Sequence, residues 1–331
     1  MDTSHARKGP VLALSGGIGG AKLALGLARV LDPGELVVAA NIGDDFEHLG
    51  LSICPDLDTL LYTLAGLADP DRGWGRRDET WTFMSALSAL GGPTWFRLGD
   101  GDLALHVERT RRLAAGESLS AVMDDVRQRL GVTARLYPVS DDAVRTVIHT
   151  RDGDLEFQDY FVRRQCAPAV TGIEFNGAAA ARAQPALVEA LADPMLRAVV
   201  ICPSNPLISI EPMLAVKAFC VALRECAAPV VAVSPIVGGR ALKGPTTKML
   251  AELCIDIDAM TAARRYGDLL DGYVVDTIDD AARSRFDVGY PVHTAPTVMT
   301  TLADRERLAR TVLDFADALA DERGVAWKSR Q

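Results

Sequence analysis

Short uninterrupted apolar runs recur along the chain, at Val11–Leu14, Leu36–Ala40, Ala198–Cys202 and Pro229–Val233. Bounded by glycine, proline and polar turns, such runs read as strands buried on both faces, the habit of parallel sheets. Gly272–Asp276 and Val292–Pro296 continue the series. Between the runs, apolar residues return at helical spacing: Leu23–Leu31, Thr80–Leu90, Leu103–Ala114, Leu119–Leu130, Pro212–Cys226, Ile257–Tyr266 and Leu302–Leu319. Pro55 and Asp56 suit a helix start, with Leu57, Leu60, Leu61 and Leu64 on one face.

One region breaks the rhythm. Ala134–Pro138, Arg145–His149 and Leu155–Val162 alternate apolar with polar residues, and Ser140–Asp142 and Arg151–Asp154 separate them as turns. That pattern predicts a small antiparallel meander. The whole predicts a Rossmann-like α/β fold with a three-layer parallel sheet, one domain over residues 1–331, and an inserted helical lobe at about 69–131.

Composition narrows the function. The 331 residues carry a formal net charge of -9, which argues against a general nucleic-acid surface. The basic clusters Arg76-Arg77 and Arg109–Arg112 suit either a small anionic ligand or solvated helix faces. Six cysteines are scattered without a CxxC pair, which reads as free thiols in a reducing compartment, and five distant histidines give no zinc pattern. No apolar run is long enough for a membrane span and the first residues lack a signal-peptide core, so a cytoplasmic protein with no membrane partner is expected.

Candidate chemistry gathers at strand ends. Gly16, Gly17, Gly19 and Gly20 stand between the first strand and the first helix, where backbone N–H groups and the helix dipole favour an anion. The spacing matches neither common nucleotide motif: Lys22 falls where the last glycine of GxGxxG belongs, and Leu23 follows it where a Walker motif needs Ser or Thr. A plain glycine-rich connection is the alternative. Asn41-Ile-Gly-Asp-Asp45 leaves the second strand and should lie beside this turn. With Asp56 and Asp58, Asp45 makes an oxygen set suited to Mg²⁺, although the later pair would equally cap a helix and complement its dipole.

Farther on, Trp95-Phe-Arg-Leu-Gly-Asp-Gly-Asp102 suits either a pocket wall for a flat ring or an acidic turn with core aromatics. The loops Pro203–Ile210 and Ser234–Pro245 should share the rim, with Ser204 and Asn205 on the phosphate side and Lys243 and Lys248 in reach of phosphate. His149 alternates with apolar residues and reads as structural.

In order, these segments resemble the 2-phospho-L-lactate transferase family of coenzyme F-420 biosynthesis, from roughly Val11 to Leu319. The resemblance rests on Ser15-Gly-Gly-Ile-Gly-Gly-Ala-Lys22, Asn41-Ile-Gly-Asp-Asp45, Pro55-Asp-Leu-Asp-Thr59, Arg72-Gly-Trp-Gly75 and Asp78-Glu-Thr80. Leu98-Gly-Asp100 followed by Asp102, Phe157-Gln158, Pro203-Ser-Asn-Pro206 and Ser234-Pro-Ile236 complete it. It implies an enzyme that moves a phosphorylated three-carbon acid from a guanosine diphospho-linked donor to Fo, the 7,8-didemethyl-8-hydroxy-5-deazariboflavin chromophore, with release of GMP. The acid is 2-phospho-L-lactate, phosphoenolpyruvate or 3-phosphoglycerate. The namesake substrate tips the expectation slightly to phospholactate, while actinobacterial members use the enolpyruvyl one.

The same resemblance implies Asp58 and Arg97 as Fo contacts, Asp45 and Asp58 as catalytic residues, and Asp45, Asp56 and Asp58 on the Mg²⁺ side. It further implies nucleotide or phosphate contacts from Gly16, Gly17, Gly19, Gly20, Lys22, Ser204 and Asn205, and a homodimer. Gly101 departs from the family, which carries Arg or another residue there. Regulators that bind UDP-sugars share the glycine turn and the sheet and form the alternative class, but lack the PDLDT segment and the aromatic-arginine lobe. A nicotinamide enzyme is disfavoured by Lys22 and by Asn41 at the ribose-binding position.

Overall fold

The computed structural model describes residues 8–70, 72, 74–242, 244–283 and 288–328. Seven strands form the central sheet: β1 (Val11–Ser15), β2 (Leu36–Ala40), β3 (Arg135–Pro138), β4 (Ala198–Ile201), β5 (Val230–Val233), β6 (Gly272–Asp276) and β7 (Val292–Ala295). Their order is β3-β2-β1-β4-β5-β6-β7, and every pairing is parallel. Val11 to Leu14 and Ala198 to Ile201 are fully buried. That burial explains why these strands read as unbroken apolar runs. Strand order reverses between β1 and β4, and open sheets of this kind bind ligands where it does, beyond the C-terminal strand ends.

Helices flank the sheet. Helix α1 (Gly17–Val30) packs against α2 (Pro55–Leu64) and the last helix (Leu302–Lys328), and Pro185–Ala192 packs against Lys217–Glu225. Helices α3 (Thr82–Ala89), α4 (Asp100–Ala114) and α5 (Leu119–Arg129) fall between β2 and β3 in the sequence. A hairpin, Phe46–His48 with Leu51–Ile53, joins the acidic loop to α2. Leu49 and Gly50 both take positive φ in its turn, the backbone that a tight two-residue connection requires.

Three expectations need correcting. Arg135–Pro138 pairs with β2 as an edge strand of the parallel sheet, so the meander consists of Arg145–Thr150, Gly153–Glu156 and Val170–Asn176. The alternation of Leu155–Val162 ends at Glu156, and Asp159–Arg163 forms a π-helical turn that buries Tyr160. The helix expected over Pro212–Cys226 is broken into Glu211–Leu214 and Lys217–Glu225. Among the described residues no single helix is long and apolar enough to cross a membrane.

Candidate active site

A cleft of about 770 Å³ opens at the reversal point between β1 and β4. The glycine turn, the N-terminus of α2, the lobe residues Trp74, Trp95, Phe96 and Arg97, and the loops after β4, β5 and β7 all line it. Segments far apart in sequence therefore share one wall-to-wall space.

The glycines serve different ends. Gly16 precedes α1, and a Cβ there would sit 2.5 Å from Asp56 Oδ2. Gly17 takes φ +62, a region costly for other residues. Gly19 and Gly20 lie inside the helix: a Cβ on Gly19 would come within 2.4 Å of the Pro203 carbonyl, and one on Gly20 within 2.4 Å of the Ser15 and Ser204 hydroxyls. These two let α1 pack tightly on the loop after β4. Ser204 ties that contact, its Oγ donating to the Gly16 carbonyl at 2.7 Å and accepting the Gly16 amide at 3.2 Å.

Asp56 does not cap its own helix. The position before α2 is Cys54, with no side-chain capping bond, and Asp56 reaches the glycine turn instead. Its Oδ1 accepts the Gly17 amide at 2.6 Å, and its Oδ2 accepts Asn41 Nδ2 at 2.9 Å. The same Asn41 amide reaches Asp44 Oδ1 at 3.0 Å, and its oxygen accepts the Gly43 amide. Asn41, fully buried at the end of β2, thus organises the acidic loop. In the sequence Asn41 marks the start of the acidic motif and argues against a nicotinamide cofactor, without this organising role; its signal is an amide at a strand end before paired aspartates.

Asp44, rather than Asp45, stands on the cleft wall. Asp45 lies behind it, near Cys54 and Arg145, with Oδ1 buried and without a hydrogen-bond partner among the described residues. Burial raises Asp45 to about 7 and Asp56 to about 6. Asp44 is pushed well above the usual carboxylate range by burial and then by Asp56 and Asp45. Asp44 and Asp56 face the cleft, crowd each other and resist ionising on their own, a pair of oxygen groups that suits a hard divalent cation, while Asp45 does not converge with them on one point. Asp58 differs, because Arg109 grips it with two bonds of 2.6 and 2.9 Å.

The lobe wall is held by its own acids. Glu79 accepts the amides of Gly101 and Asp102 at 2.7 and 2.8 Å, capping α4. Asp100 accepts the amides of Thr82 and Phe83 and caps α3. Gly101 sits against Glu79 and Arg76, whose guanidinium donates to its carbonyl at 3.1 Å. Phe46, His48, Trp95 and Phe96 pack edge to face or tilted. Exposed Arg97 stacks on Trp81 at 4.2 Å and makes no ion pair among the described residues.

Asp58, Asp102 and His106 offer ligand atoms within 4.8 Å of one another. Hydrogen bonding argues against a metal there. Arg109 donates to His106 Nδ1 at 2.8 Å, so that nitrogen is an acceptor and the ring proton sits on Nε2, 3.2 Å from Asp102 Oδ2. Tyr62 and His106 have no assigned role in the sequence, Asp102 appears only within a candidate pocket wall and a family segment, and Arg109 only within a basic cluster, although Asp102, His106 and Arg109 share one face of α4 at helical spacing.

Other expected residues fall as follows. Lys22 lines the cleft and donates to the Met299 carbonyl at 2.9 Å. Asn205 lines it too: Oδ1 accepts the Leu207 amide, and buried Nδ2 has no partner among the described residues. Lys248 points away, to the Pro168 carbonyl and Glu252. Lys243, and Gly73 of the Arg72–Gly75 segment, lie outside the described residues. His149 pairs with Asp154 on the meander surface, and Arg111 and Arg112 pair with Glu108, Glu117 and Asp125.

Fold and cleft together define a Rossmann-like protein that sets a glycine turn and buried carboxylates against an aromatic lobe. The family described as 2-phospho-L-lactate transferase CofD matches residues 11–294, and the chain belongs to that family. It is therefore an enzyme of the transferase type that moves a phosphorylated three-carbon unit. A phosphoenolpyruvate transferase of Kitasatospora aureofaciens is 40% identical over 315 residues, covering 93% of this chain and 98% of the relative. One from Mycolicibacterium smegmatis is 37% identical over 327 residues, with 92% and 98% covered. A crystal structure of a UPF0052-family protein from Bacillus halodurans superposes with TM-score 0.60 at 14% identity, covering 93% of this chain and 99% of that one. That likeness concerns the fold alone.

Proposed function

We propose that the chain transfers an enolpyruvyl phosphate unit from its guanosine diphospho-linked form to Fo in coenzyme F-420 biosynthesis, releasing GMP. The observation that carries this reading is the single cleft joining the glycine turn, the carboxylates and the aromatic-arginine wall. A diphosphate donor has its natural place over the start of α1, where Lys22 and Asn205 Nδ2, which has no partner among the described residues, add donors. Fo has an apolar and cationic wall in Trp95, Phe96 and Arg97. Relatives named phosphoenolpyruvate transferases favour the enolpyruvyl donor over the lactyl one to which the family's name leans.

In the proposed reaction the terminal ribityl oxygen forms a bond to the phosphorus nearer the acid. The bond from that phosphorus to the bridging oxygen breaks, and GMP leaves with the electron pair. The hydroxyl proton passes to a cleft carboxylate, for which Asp58 is the candidate. Asp44 and Asp56 would hold Mg²⁺, with Asp45 behind them, and a bound Mg²⁺ would offset negative charge on the diphosphate. The chain's own part is to fix the diphosphate at the glycine turn and to exclude water between sheet and lobe.

The test is a three-way donor competition with Fo, Mg²⁺ and the lactyl, enolpyruvyl and glyceryl guanosine diphosphates. A product mass dominated by the enolpyruvyl phosphodiester is expected. Dominant lactyl or glyceryl product would overturn the donor, and no product from any of the three would overturn the reaction. UDP-sugar binding without turnover would then favour the regulatory class.

A further inference from the structure

Behind the cleft wall, one buried pair of side chains holds two carboxylates. Arg109, with a fully buried side chain, donates twice to Asp58, twice to the Ser52 carbonyl and once to His106 Nδ1. His106, almost as buried, presents Nε2 to Asp102 Oδ2 at 3.2 Å. Tyr62 hydroxyl donates to the other oxygen of Asp102 at 2.6 Å. Arg109 and Tyr62 thus aim their donors at the two acids, and Asp58, Tyr62, Asp102 and His106 all line the cleft.

What such a place accepts follows from hydrogen-bond inventory. Ionised carboxylates only accept, so a ligand here must bring donors; phosphate and carboxylate groups are repelled. Burial works to raise Asp102, but His106, the Tyr62 hydrogen bond and the Arg109 charge together hold it below the usual carboxylate range. A chain of neighbouring hydroxyls has the donors this place lacks.

We propose that Asp102 is a second hydroxyl-binding carboxylate beside Asp58, and that His106 and Arg109 are positioning residues that fix the pair to grip adjacent hydroxyls of the acceptor's ribityl chain. This deepens the Fo reading above and rests on it. Asp102 touches the polyol, while His106 and Arg109 act through the two aspartates.

The experiment measures KM for Fo and for the donor, and binding of an N10-methyl 8-hydroxy-5-deazaflavin that lacks the hydroxyl chain. Asp102→Asn is expected to raise KM for Fo about tenfold, with donor KM within twofold and affinity for the chainless ring unchanged. His106→Ala should raise KM for Fo likewise, and His106→Gln, which keeps a donor, should recover part of the loss. Tyr62→Phe, expected to cause a smaller rise, serves if Asp102→Asn fails to fold. The proposal is overturned if KM for Fo stays within twofold in these variants, or if the chainless ring weakens equally. It is also overturned if Asp102→Asn instead loses a bound divalent cation counted on the purified enzyme. A wild-type protein that neither binds nor converts Fo removes the acceptor reading and this one with it; an active wild type with unmoved variants removes this one alone.

Discussion

Gly17 donates its amide to Asp56 at 2.6 Å, so the start of the first helix is tied to the start of the second across the cleft floor. The carboxylate that takes this amide also takes Asn41, and through Asn41 it is bound to Asp44. The glycine-turn backbone and the acidic loop are therefore one hydrogen-bonded unit rather than two neighbouring motifs.

Asp56→Asn tests that unit. The amide keeps an acceptor for Gly17 but turns a donor toward Asn41 and removes the charge. We expect kcat to fall at least about 100-fold, the scale of losing a preorganised electrostatic group. The melting temperature should drop by only a few degrees, as for a net hydrogen bond of about 1 kcal/mol. Activity within fivefold of wild type would reduce Asp56 to a structural tie.

The acids also set a pH dependence. Asp45 at about 7, Asp56 at about 6 and the raised Asp44 all lie above their unfolded value of 3.8 in the native state. The native protein then binds more protons than the unfolded chain across that interval, so metal-free stability falls as pH rises from about 4 through about 7. A cation that takes the charged carboxylates relieves this cost only where they ionise. Mg²⁺ should therefore raise the melting temperature more at pH 8 than at pH 5, and equal shifts would place Mg²⁺ elsewhere.

The parallel sheet is legible in the sequence because its five inner strands are buried on both faces and need no partner to be recognised. Arg135–Pro138 is misread because an edge strand alternates like a meander strand, and only pairing with β2 distinguishes them. The glycine turn is legible as a turn, yet Gly19 and Gly20 answer to the loop after β4, which lies nearly two hundred residues away. Asp44 and Asp45 are indistinguishable by composition; side-chain direction in a loop decides which faces the cleft. The buried His106–Arg109 bridge is hidden because a helical His and Arg normally read as solvated.

Close approach at Gly19 gives a stability prediction without a ligand. Gly19→Ala drives a methyl into the Pro203 carbonyl, so α1 or the loop must shift. Overpacking of this kind costs about 1–3 kcal/mol, and chemical denaturation should report it. An unchanged denaturation midpoint would mean that the loop yields freely.

Arg97 is the opposite case. Exposed, and held among the described residues by stacking on Trp81, it contributes little to folding. Arg97→Ala should leave the melting temperature within about 1 °C, the usual reach of a surface change, yet raise KM for Fo several-fold. An unchanged KM would detach Arg97 from the acceptor wall.

The Arg109–Asp58 pair allows a thermodynamic cycle. Arg109→Met leaves Asp58 buried without its partner and should cost about 3–5 kcal/mol, because an unpaired buried charge is worse than none. Asp58→Asn should cost less, since the guanidinium keeps the Ser52 carbonyl, His106 and the amide oxygen as acceptors. Combined, the two changes remove both charges, so the double variant should be more stable than Arg109→Met alone. The coupling is expected at about 0.5–3 kcal/mol in urea denaturation. Strict additivity would mean that the two residues are held apart from one another in solution. The double variant should nonetheless stay catalytically impaired, because restoring charge balance does not restore a carboxylate at the acceptor hydroxyl.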